Sequence, residues 1–266
     1  MRDNNLQEGL VALKLDAFQS QCHKVSEECE RDGKSSLLFL EELVGLELES
    51  RFHRRIDRLI KQAKLPREKS LKDFEVKRIP GLTKGTIEKL SKGTFMDRYE
   101  NLLIFGNPGT GKTHLSLALA REWCLLGRKV FYISAADLLQ KLLKAKQDLR
   151  LTEYIKLLDR YEILIIDDIS YLACDGSEAD VLFNLLSMRY EMRSVLITSN
   201  LPFSKWDQIF KDDMTTTAAV DRLIHHSTVL ELNAESYRVA MAKKTWKRRL
   251  LLLVRKKRSD INGRTG

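Results

Sequence analysis

The sequence feature that most constrains the fold is a glycine-rich stretch at residues 106–113, which reads GNPGTGKT. It follows the apolar run Asn101–Phe105 and precedes a helical pattern that starts at Lys112. Its spacing is GxxxxGK followed by Ser or Thr. The glycines allow a tight turn in which successive backbone N–H groups and the start of the helix point at one spot. This succession of strand, loop and helix predicts a phosphate-binding loop at the end of a parallel strand.

The polar residues of the loop have separate predicted roles. Lys112 can neutralise charge on the β- and γ-phosphates of a nucleotide, and the hydroxyl of Thr113 can bind Mg²⁺. The predicted nucleotide contacts are Gly106, Asn107, Pro108, Gly109, Thr110, Gly111, Lys112 and Thr113.

Two carboxylates follow a second apolar run, Ile163–Ile166. The strand end predicts that Asp167 reaches the Mg²⁺ shell and that Asp168 orients or deprotonates the water that attacks the γ-phosphate. By themselves, two adjacent acids after a strand can also be ordinary loop residues.

A third strand pattern, Val195–Thr198, leads to Asn200. From the end of an adjacent strand, Asn200 can hydrogen-bond the γ-phosphate or the attacking water. The alternative is a loop asparagine that begins a turn before Pro202.

The pattern after residue 100 alternates short apolar runs with helical stretches, which favours a parallel sheet covered on both faces. The predicted strands are Asn101–Phe105, Lys129–Ile133, Glu162–Ile166, Ser194–Thr198 and Thr228–Leu232. The predicted helices between them are Lys112–Leu126, Ala135–Lys146, Thr152–Asp159 and Glu178–Arg189. We therefore predict an α/β fold with three αβα layers and a five-stranded parallel sheet.

A small all-helical module is predicted ahead of this domain. One helix is expected from Leu6 to about Glu30, and a longer one from an N-cap at Ser36 to about Leu65. A connection that contains a helix at Thr83–Leu90 follows. The expected organisation is a helical module at 1–65, a connection at 66–100, the α/β domain at 101–249 and a basic tail at 250–266.

Positive charge is concentrated in two segments of a chain whose net charge is +9. Residues 51–72 carry nine Lys or Arg against two acidic residues, and residues 240–266 carry ten against one. Such asymmetry is typical of proteins that bind polyanions, although a solvated charged face is the simpler alternative. Helical spacing places one basic group on a single face, opposite Phe52 and Ile56: Arg51, Arg54, Arg55, Arg58 and Lys61.

Four segments together resemble the IstB/DnaC group of AAA+ ATPases, most closely the IstB-like members that assist a bacterial transposase. They read GNPGTGKTHLSLALA, ILIIDDIS, VLITSNLPFSKW and DRLIHHSTVLELNAESYR, and resemble the P-loop, Walker B, sensor 1 and arginine-finger segments of that group. The first two are common to P-loop ATPases, whereas the last two are more specific. Ala234 departs from the glycine usual there, and the tail after Leu250 is unlike the usual end.

The resemblance implies an AAA+ ATPase that binds ATP and Mg²⁺ and hydrolyses ATP at the interface of a homo-oligomer. Arg222 would then reach into a neighbouring subunit's site as an arginine finger, and Arg238 would approach the nucleotide. An extra helical insert at 135–159, with Lys141 and Lys144, would face duplex DNA. The implied partner is a cognate transposase of the IstA kind.

Two other functions remain open on the sequence. A DnaC-like loader of the replicative helicase would share the same core and differ in its partner. A P-loop kinase of small molecules is a more distant alternative, because it has no need for Asn200 or for an arginine supplied in trans.

The remaining features predict a cytoplasmic protein without a membrane span or secretory signal. The longest aliphatic run, Leu250–Val254, has five residues, far fewer than the roughly 20 that a spanning helix needs. His225 and His226 are interpreted as packing or surface residues, because the sequence shows no third metal ligand near them. Reduced thiols are expected at Cys22, Cys29, Cys124 and Cys174.

Overall fold

The computed structural model describes residues 2–65, 69–172, 174, 176–206, 209, 221, 223–237, 239, 241, 242 and 246. The chain forms two compact units, Met1–Lys61 and Gln62–Gly266. None of the described helices is long and apolar enough to cross a membrane.

The first unit contains three helices: α1 (Arg2–Ala12), α2 (Asp16–Arg31) and α3 (Ser36–Gln62). The single helix predicted from Leu6 to Glu30 is therefore wrong. The chain turns after α1 because Lys14 adopts a left-handed backbone conformation with φ +55°, which a continuous right-handed helix does not contain. Apolar spacing alone did not reveal this break.

The start of α3 is capped one residue earlier than expected. The hydroxyl of Ser35, rather than that of Ser36, accepts a hydrogen bond of 3.4 Å from the backbone N–H of Leu38. The helix ends at Gln62, three residues before the predicted end at Leu65. The small core of this unit is formed by Val25, Cys29 and Leu43.

The second unit is built around five parallel strands: β1 (Asn101–Phe105), β2 (Val130–Ser134), β3 (Ile163–Asp167), β4 (Ser194–Ser199) and β5 (Ser227–Glu231). Their order across the sheet is β2-β3-β4-β1-β5. The predicted α/β fold with a five-stranded parallel sheet is confirmed. The carboxyl ends of β1, β3 and β4 therefore meet at one edge of the sheet.

The central strands of this sheet are completely buried, which indicates that helices cover both of its faces. Every residue of β1, β3 and β4 is buried, as expected when both faces are covered. The helices after the first strand are α5 (Lys112–Leu125), α6 (Ala135–Gln147), α7 (Leu151–Leu158) and α8 (Gly176–Arg189). The apolar cluster beneath α6, α7 and α8 contains Leu164 and Ile166 of β3. Because side chains alternate along a strand, Ile163 and Ile165 face the opposite layer.

Four strands differ from the predicted ranges by one residue, and β4 ends at Ser199, one residue later than predicted. β2 and β3 each begin and end one residue later than expected, and β5 begins and ends one residue earlier. Polar residues such as Ser134 and Asp167 continue the ladder because strand pairing uses backbone groups rather than side chains.

The segment between the two predicted domains carries more structure than its polarity indicated. It contains the helix α4 (Lys84–Ser91) and three short 3₁₀ turns. The indole N–H of Trp123 on α5 donates a hydrogen bond of 2.9 Å to the carbonyl of Leu90. This segment is thus packed on the sheet unit.

Candidate functional site

The glycine-rich loop lies at the carboxyl end of β1 and ends where α5 begins. A Cβ atom on Gly106 would lie 2.6 Å from the backbone oxygen of Leu232. Gly109 has φ +82°, and a Cβ there would overlap Ser236. The first residue of α5 is Lys112, so the amino end of the helix opens onto the loop. These contacts explain why the turn needs glycine at both positions, and a glycine-rich turn at the amino end of a helix is the arrangement typical of anion sites.

The ammonium group of Lys112 is buried within this loop. Only 6% of the residue is exposed. Its Nζ donates to the carbonyl oxygens of Gly106 at 2.7 Å and Asn107 at 3.1 Å, and also to the side-chain oxygen of Asn200. A fixed positive charge therefore lies between the loop and the carboxyl end of β4.

The carboxylate of Asp167 receives hydrogen bonds from three side chains. The Thr113 hydroxyl donates to its two oxygens at 3.0 and 3.1 Å, and Thr198 Oγ1 donates to Oδ1 at 2.7 Å. Tyr132 Oη donates to Oδ2 at 2.8 Å. Burial, together with the charge of Asp167, raises the pKa of the Tyr132 phenol. Tyr132 therefore remains a donor throughout the neutral pH range.

Tyr132 and Thr198 were not identified from the sequence. Tyr132 lies two residues before Ser134, which pairs with Asp167 across the β2–β3 ladder. Side chains two residues apart on a strand point to the same face. Finding Tyr132 required the knowledge that β2 is next to β3, and the sequence does not give the strand order.

Asp168 is held in an unusual backbone conformation at the same edge. Its φ of +62° and ψ of +60° are left-handed, which costs about 1–3 kcal/mol for a residue other than glycine. Its N–H donates to Thr198 Oγ1 at 2.8 Å, and its Oδ1 accepts from Ser170 Oγ at 2.7 Å and from Asn200 Nδ2 at 2.9 Å. These bonds fix the carboxylate in one orientation.

Asn200 lies in the centre of this arrangement. Its amide contacts both Lys112 and Asp168, and its backbone N–H donates to Ser170 Oγ at 3.0 Å. Lys112, Asn200 and Asp168, which the sequence predicted on three separate segments, are brought together. Ser170 is a further member that no sequence motif indicated.

A cavity of about 560 Å³ opens beside these groups. One wall is the loop from Pro108 to His114, with Asp168 and Asn200. The rest of the lining comes from the segment 69–79 and from residues 234, 235 and 237. Its volume is within the range of small-molecule sites.

Aromatic rings line the wall that the sequence did not predict. The ring of Phe74 packs edge-on against His114, with 5.6 Å between ring centroids. The guanidinium of Arg78 lies 4.7 Å from the centroid of the Tyr237 ring. The lining of the cavity thus combines aromatic side chains with a cation, carboxylates and the glycine-rich loop.

The oxygen groups at this edge suit a magnesium ion. Thr113 and Asp167 provide a hydroxyl and a carboxylate within hydrogen-bond distance of each other, and hard oxygen ligands are those that Mg²⁺ prefers. The described residues of the cavity wall include no thiolate that would favour a softer metal.

Two predicted site residues, Arg222 and Arg238, lie outside the described residues. So does the basic tail at 250–266. Their roles stay predictions.

The five basic residues predicted on α3 are all exposed, and two of them bond carboxylates of the helical unit. Arg51 donates to the buried carboxylate of Glu47 at 2.7 Å, and Arg54 bonds both Glu47 and Asp16. Arg55, Arg58 and Lys61 are exposed. Arg51 and Arg54 therefore already have carboxylate partners within the helical unit.

In the sheet unit, Lys141 and Lys144 of α6 are exposed as well. The helix begins at the cap residue Ser134, whose hydroxyl accepts from the N–H of Asp137 at 3.1 Å. Ser134 is also the last residue of β2.

Comparison with known proteins gives consistent matches. The family model of IstB-like ATP binding proteins matches residues 9–245. A putative insertion sequence ATP-binding protein of Sinorhizobium fredii is 39% identical over 85% of this chain and 76% of its own. The putative ATP-binding protein of insertion sequence IS21 from Pseudomonas aeruginosa is 35% identical over 88% and 89%, respectively.

Solved structures match in fold. AMPPCP-bound DnaA from Aquifex aeolicus superposes with a TM-score of 0.54 at 21% identity, over 69% of this chain and 56% of that chain. DnaI superposes with a TM-score of 0.51 at 19% identity, over 65% and 93%. The sheet unit thus has the P-loop AAA+ fold. With the family model covering most of its length, the chain belongs to the family of IstB-like ATP binding proteins.

Proposed function

We propose that this protein binds ATP with Mg²⁺ and hydrolyses it to ADP and phosphate, and that ATP binding assembles it on duplex DNA to assist a transposase. The observation that carries the enzymatic part is the contact of Asn200 with both Lys112 and Asp168, beside the Thr113–Asp167 pair.

The loop and α5 form the phosphate site of this proposal. Backbone N–H groups at the helix start bind the phosphate oxygens, and Lys112 balances their charge. Thr113 and Asp167 would hold Mg²⁺, which would supply positive charge to offset the charge that develops on the phosphates. The aromatic side chains in the cavity lining, Phe74 and Tyr237, would provide apolar contacts for a purine base.

Asp168 and Asn200 supply the groups for hydrolysis. Asp168 accepts a hydrogen bond from the attacking water and takes its proton as the water oxygen bonds to the γ-phosphorus. The bond from that phosphorus to the oxygen of the β-phosphate breaks, and ADP leaves. Asn200 keeps the Asp168 carboxylate oriented and lies within reach of the γ-phosphate.

An arginine from a second subunit completes the proposed site. Arg222 would stabilise the charge that develops on the transferred group, so that turnover depends on assembly. Arg238 would approach the nucleotide within the same subunit. The test is to mix Arg222→Ala with Asp168→Asn. Each variant alone should have strongly reduced ATPase activity, and the mixture should regain activity because some interfaces then combine two intact halves. No recovery would contradict catalysis in trans.

Exposed cations support binding of duplex DNA through its phosphates. Arg55, Arg58 and Lys61 on α3 and Lys141 and Lys144 on α6 provide charge without a motif that reads bases. The names of the relatives, which are insertion sequence ATP-binding proteins, favour a transposase over a replicative helicase as the partner.

Phosphate release with and without duplex DNA tests the activity. The wild-type protein should hydrolyse ATP, and DNA should stimulate it. Asp168→Asn should lower kcat by roughly 100-fold or more and retain ATP binding. Asp180→Asn, an exposed carboxylate on α8, is the matched control and should leave the rate unchanged. Equal rates for Asp168→Asn and the wild type would overturn the proposed role.

A further inference from the structure

Two imidazoles and a carboxylate meet at the surface of the sheet unit, on the opposite edge from the P-loop. Among the described residues, Glu191, His225 and His226 form the one group of three His, Cys, Asp or Glu side chains with ligand atoms within 4.8 Å of one another. His226 immediately precedes β5, at whose start Ser227 pairs with Asn101. The rise of β1 from Asn101 to Phe105, about 13 Å, separates this edge from the P-loop edge.

His225 and His226 were interpreted from the sequence as packing or surface residues because no third metal ligand lies near them in the chain. Glu191 is more than thirty residues away in the chain, and the fold brings it to His226. The Nε2 atom of His226 lies 3.3 Å from Oε1 of Glu191. Both side chains are exposed, so a dissolved ion can reach them.

The separation of the His226 and Glu191 ligand atoms matches what a tetrahedral metal needs. Ligand atoms that lie about 2.0–2.2 Å from a zinc ion are about 3.4 Å from one another. The separation of 3.3 Å between His226 and Glu191 already has this value. The ring centroids of His225 and His226 are 4.3 Å apart, and one ligand atom of each of the three side chains lies within 4.8 Å of the other two.

A hydrogen bond outside the cluster is suited to orienting His225. Tyr190 Oη lies 3.1 Å from His225 Nδ1. When the phenol oxygen accepts the Nδ1 proton, the opposite ring nitrogen, Nε2, carries the lone pair that binds a metal. Metal-binding histidines commonly have such a second partner.

The backbone that carries the cluster is anchored on both sides. The N–H groups of Met192 and Arg193, which follow Glu191, both donate to the carbonyl of Arg189 at 3.1 and 2.9 Å. The fully buried guanidinium of Arg189 bonds the carbonyls of Leu158, Tyr161 and Ser194 at 3.0–3.1 Å.

On the histidine side, Asn101 provides the anchor. Its N–H donates to the carbonyl of His226 at 2.7 Å, and its side-chain amide donates to the carbonyl of Leu223 at 3.4 Å. Rigid support of this kind limits the reorganisation that binding would require.

We propose that Glu191, His225 and His226 bind a divalent first-row transition-metal cation, with Zn²⁺ as the probe. Two imidazoles and one carboxylate with an open position for water suit Zn²⁺, whereas Mg²⁺ prefers oxygen ligands alone. The bound ion would fasten the segment that precedes β5 to the end of α8. The argument for this metal site does not rest on the proposed ATPase activity.

Calorimetric titration of the full chain with Zn²⁺, in excess Mg²⁺ to occupy oxygen-only sites, tests the proposal. The wild type should bind one zinc ion more than the double variant His225→Gln/His226→Gln. Glu191→Gln should weaken the binding at least tenfold. His53→Gln, an exposed histidine on α3, is the matched control and should bind zinc like the wild type.

Absorption spectra with Co²⁺ give a second readout that does not depend on whether the double variant folds. The wild type and His53→Gln should show the visible bands of a four-coordinate Co²⁺ ion with nitrogen ligands, and Zn²⁺ should displace them. Glu191→Gln should show weaker bands at the same metal concentration. Equal zinc binding by the wild type and a folded double variant, or the absence of Co²⁺ bands in the wild type, would overturn the proposal.

Discussion

The side-chain amide of Asn200 donates a hydrogen bond of 2.9 Å to the Oδ1 atom of Asp168. The oxygen of the same amide accepts from Lys112. An asparagine can make both contacts because its amide has a donor and an acceptor. Asn200 therefore links the residue proposed to bind the phosphates to the residue proposed to orient water.

Replacing Asn200 with aspartate should separate catalysis from binding. The new carboxylate keeps the shape of the side chain but cannot donate to Asp168 and repels it, so kcat for ATP should fall by roughly 10- to 100-fold. The KM should change much less. Steady-state phosphate release measures both constants.

Asn184→Asp, which adds the same charge on the exposed side of α8, is the control. Its kinetics should match those of the wild type. An Asn200→Asp enzyme with unchanged kcat would show that the contact with Asp168 has no catalytic role.

Tyr132→Phe should raise the concentration of Mg²⁺ that half-saturates ATP hydrolysis by about tenfold. The change removes the hydroxyl that donates to Asp167 and keeps the ring. Because the pKa of Tyr132 is raised, its phenol stays protonated and the difference from the wild type should persist into moderately alkaline solution. Magnesium titrations at a fixed ATP concentration measure it.

The half-buried Tyr154 of α7 provides the matched change, Tyr154→Phe, which should leave the magnesium requirement as it is. If both variants shift the requirement equally, the effect is one of general packing and the positioning role of Tyr132 is wrong.

Glu47→Gln should destabilise the helical unit by about 2 kcal/mol at neutral pH. The carboxylate of Glu47, of which 5% is exposed, accepts from Arg51, from Arg54 and from the N–H of Ala17. Hydrogen bonding from Arg51 contributes most to holding the pKa of Glu47 below its ordinary value of 4.5. Urea unfolding of the full chain, followed by circular dichroism, measures the loss.

The pH dependence of this difference has a definite sign. Since the folded pKa is lowered, the ionised carboxylate stabilises the wild type above the unfolded value, and that stabilisation is lost as the pH falls through the folded value. The gap between Glu47→Gln and wild type should therefore shrink below pH 4.5. The exposed Glu49→Gln variant should show neither the loss nor its pH dependence.

Neutralising Arg55, Arg58 and Lys61 to glutamine should weaken binding to duplex DNA and make it less sensitive to salt. Each phosphate contact that is lost lowers the slope of log affinity against log salt by about 0.9, so the slope should fall by up to about 3. Fluorescence anisotropy with labelled duplex at several salt concentrations gives the slope.

A control with the same change in charge comes from Lys24, Arg31 and Lys34, each of which lies beside a carboxylate in the same unit. Their replacement by glutamine should alter the slope less. Equal slopes for the wild type and the α3 variant would mean that this face is only a solvated surface.

Lys112→Ala should reduce the affinity for ATP by tenfold or more, because the phosphates lose a fixed positive charge. Lys141→Ala removes a charge on α6 instead and should keep nucleotide affinity while weakening DNA binding. Calorimetric titration with ATP and Mg²⁺ distinguishes the two variants. Unchanged ATP affinity in Lys112→Ala would remove the loop from the nucleotide site.

The parts of the site that could be predicted from the sequence are those whose signal is local. The loop at 106–113 and the apolar runs before Asp167 and Asn200 each contain their own evidence, because a parallel strand ends where its polar residue begins. The prediction that these residues converge at one edge followed from parallel strands alone.

The parts that could not be predicted depend on which elements are neighbours. Tyr132 is found only when β2 is known to pair with β3, and Phe74 only when the segment 69–79 is known to form a cavity wall. Glu191 and His226 meet because the end of α8 lies near the start of β5. The break at Lys14 was missed because apolar periodicity does not report a single left-handed residue.

Sedimentation velocity with and without ATP and duplex DNA is the most direct test that nucleotide binding at the P-loop assembles this chain on DNA. With ATP, Mg²⁺ and duplex DNA together, the wild type should sediment as a particle of several subunits, and Asp168→Asn should hold that particle for longer. Lys112→Ala should stay small under the same conditions. A wild-type protein whose sedimentation is unchanged by ATP and DNA, or a Lys112→Ala variant that assembles like the wild type, would contradict the account.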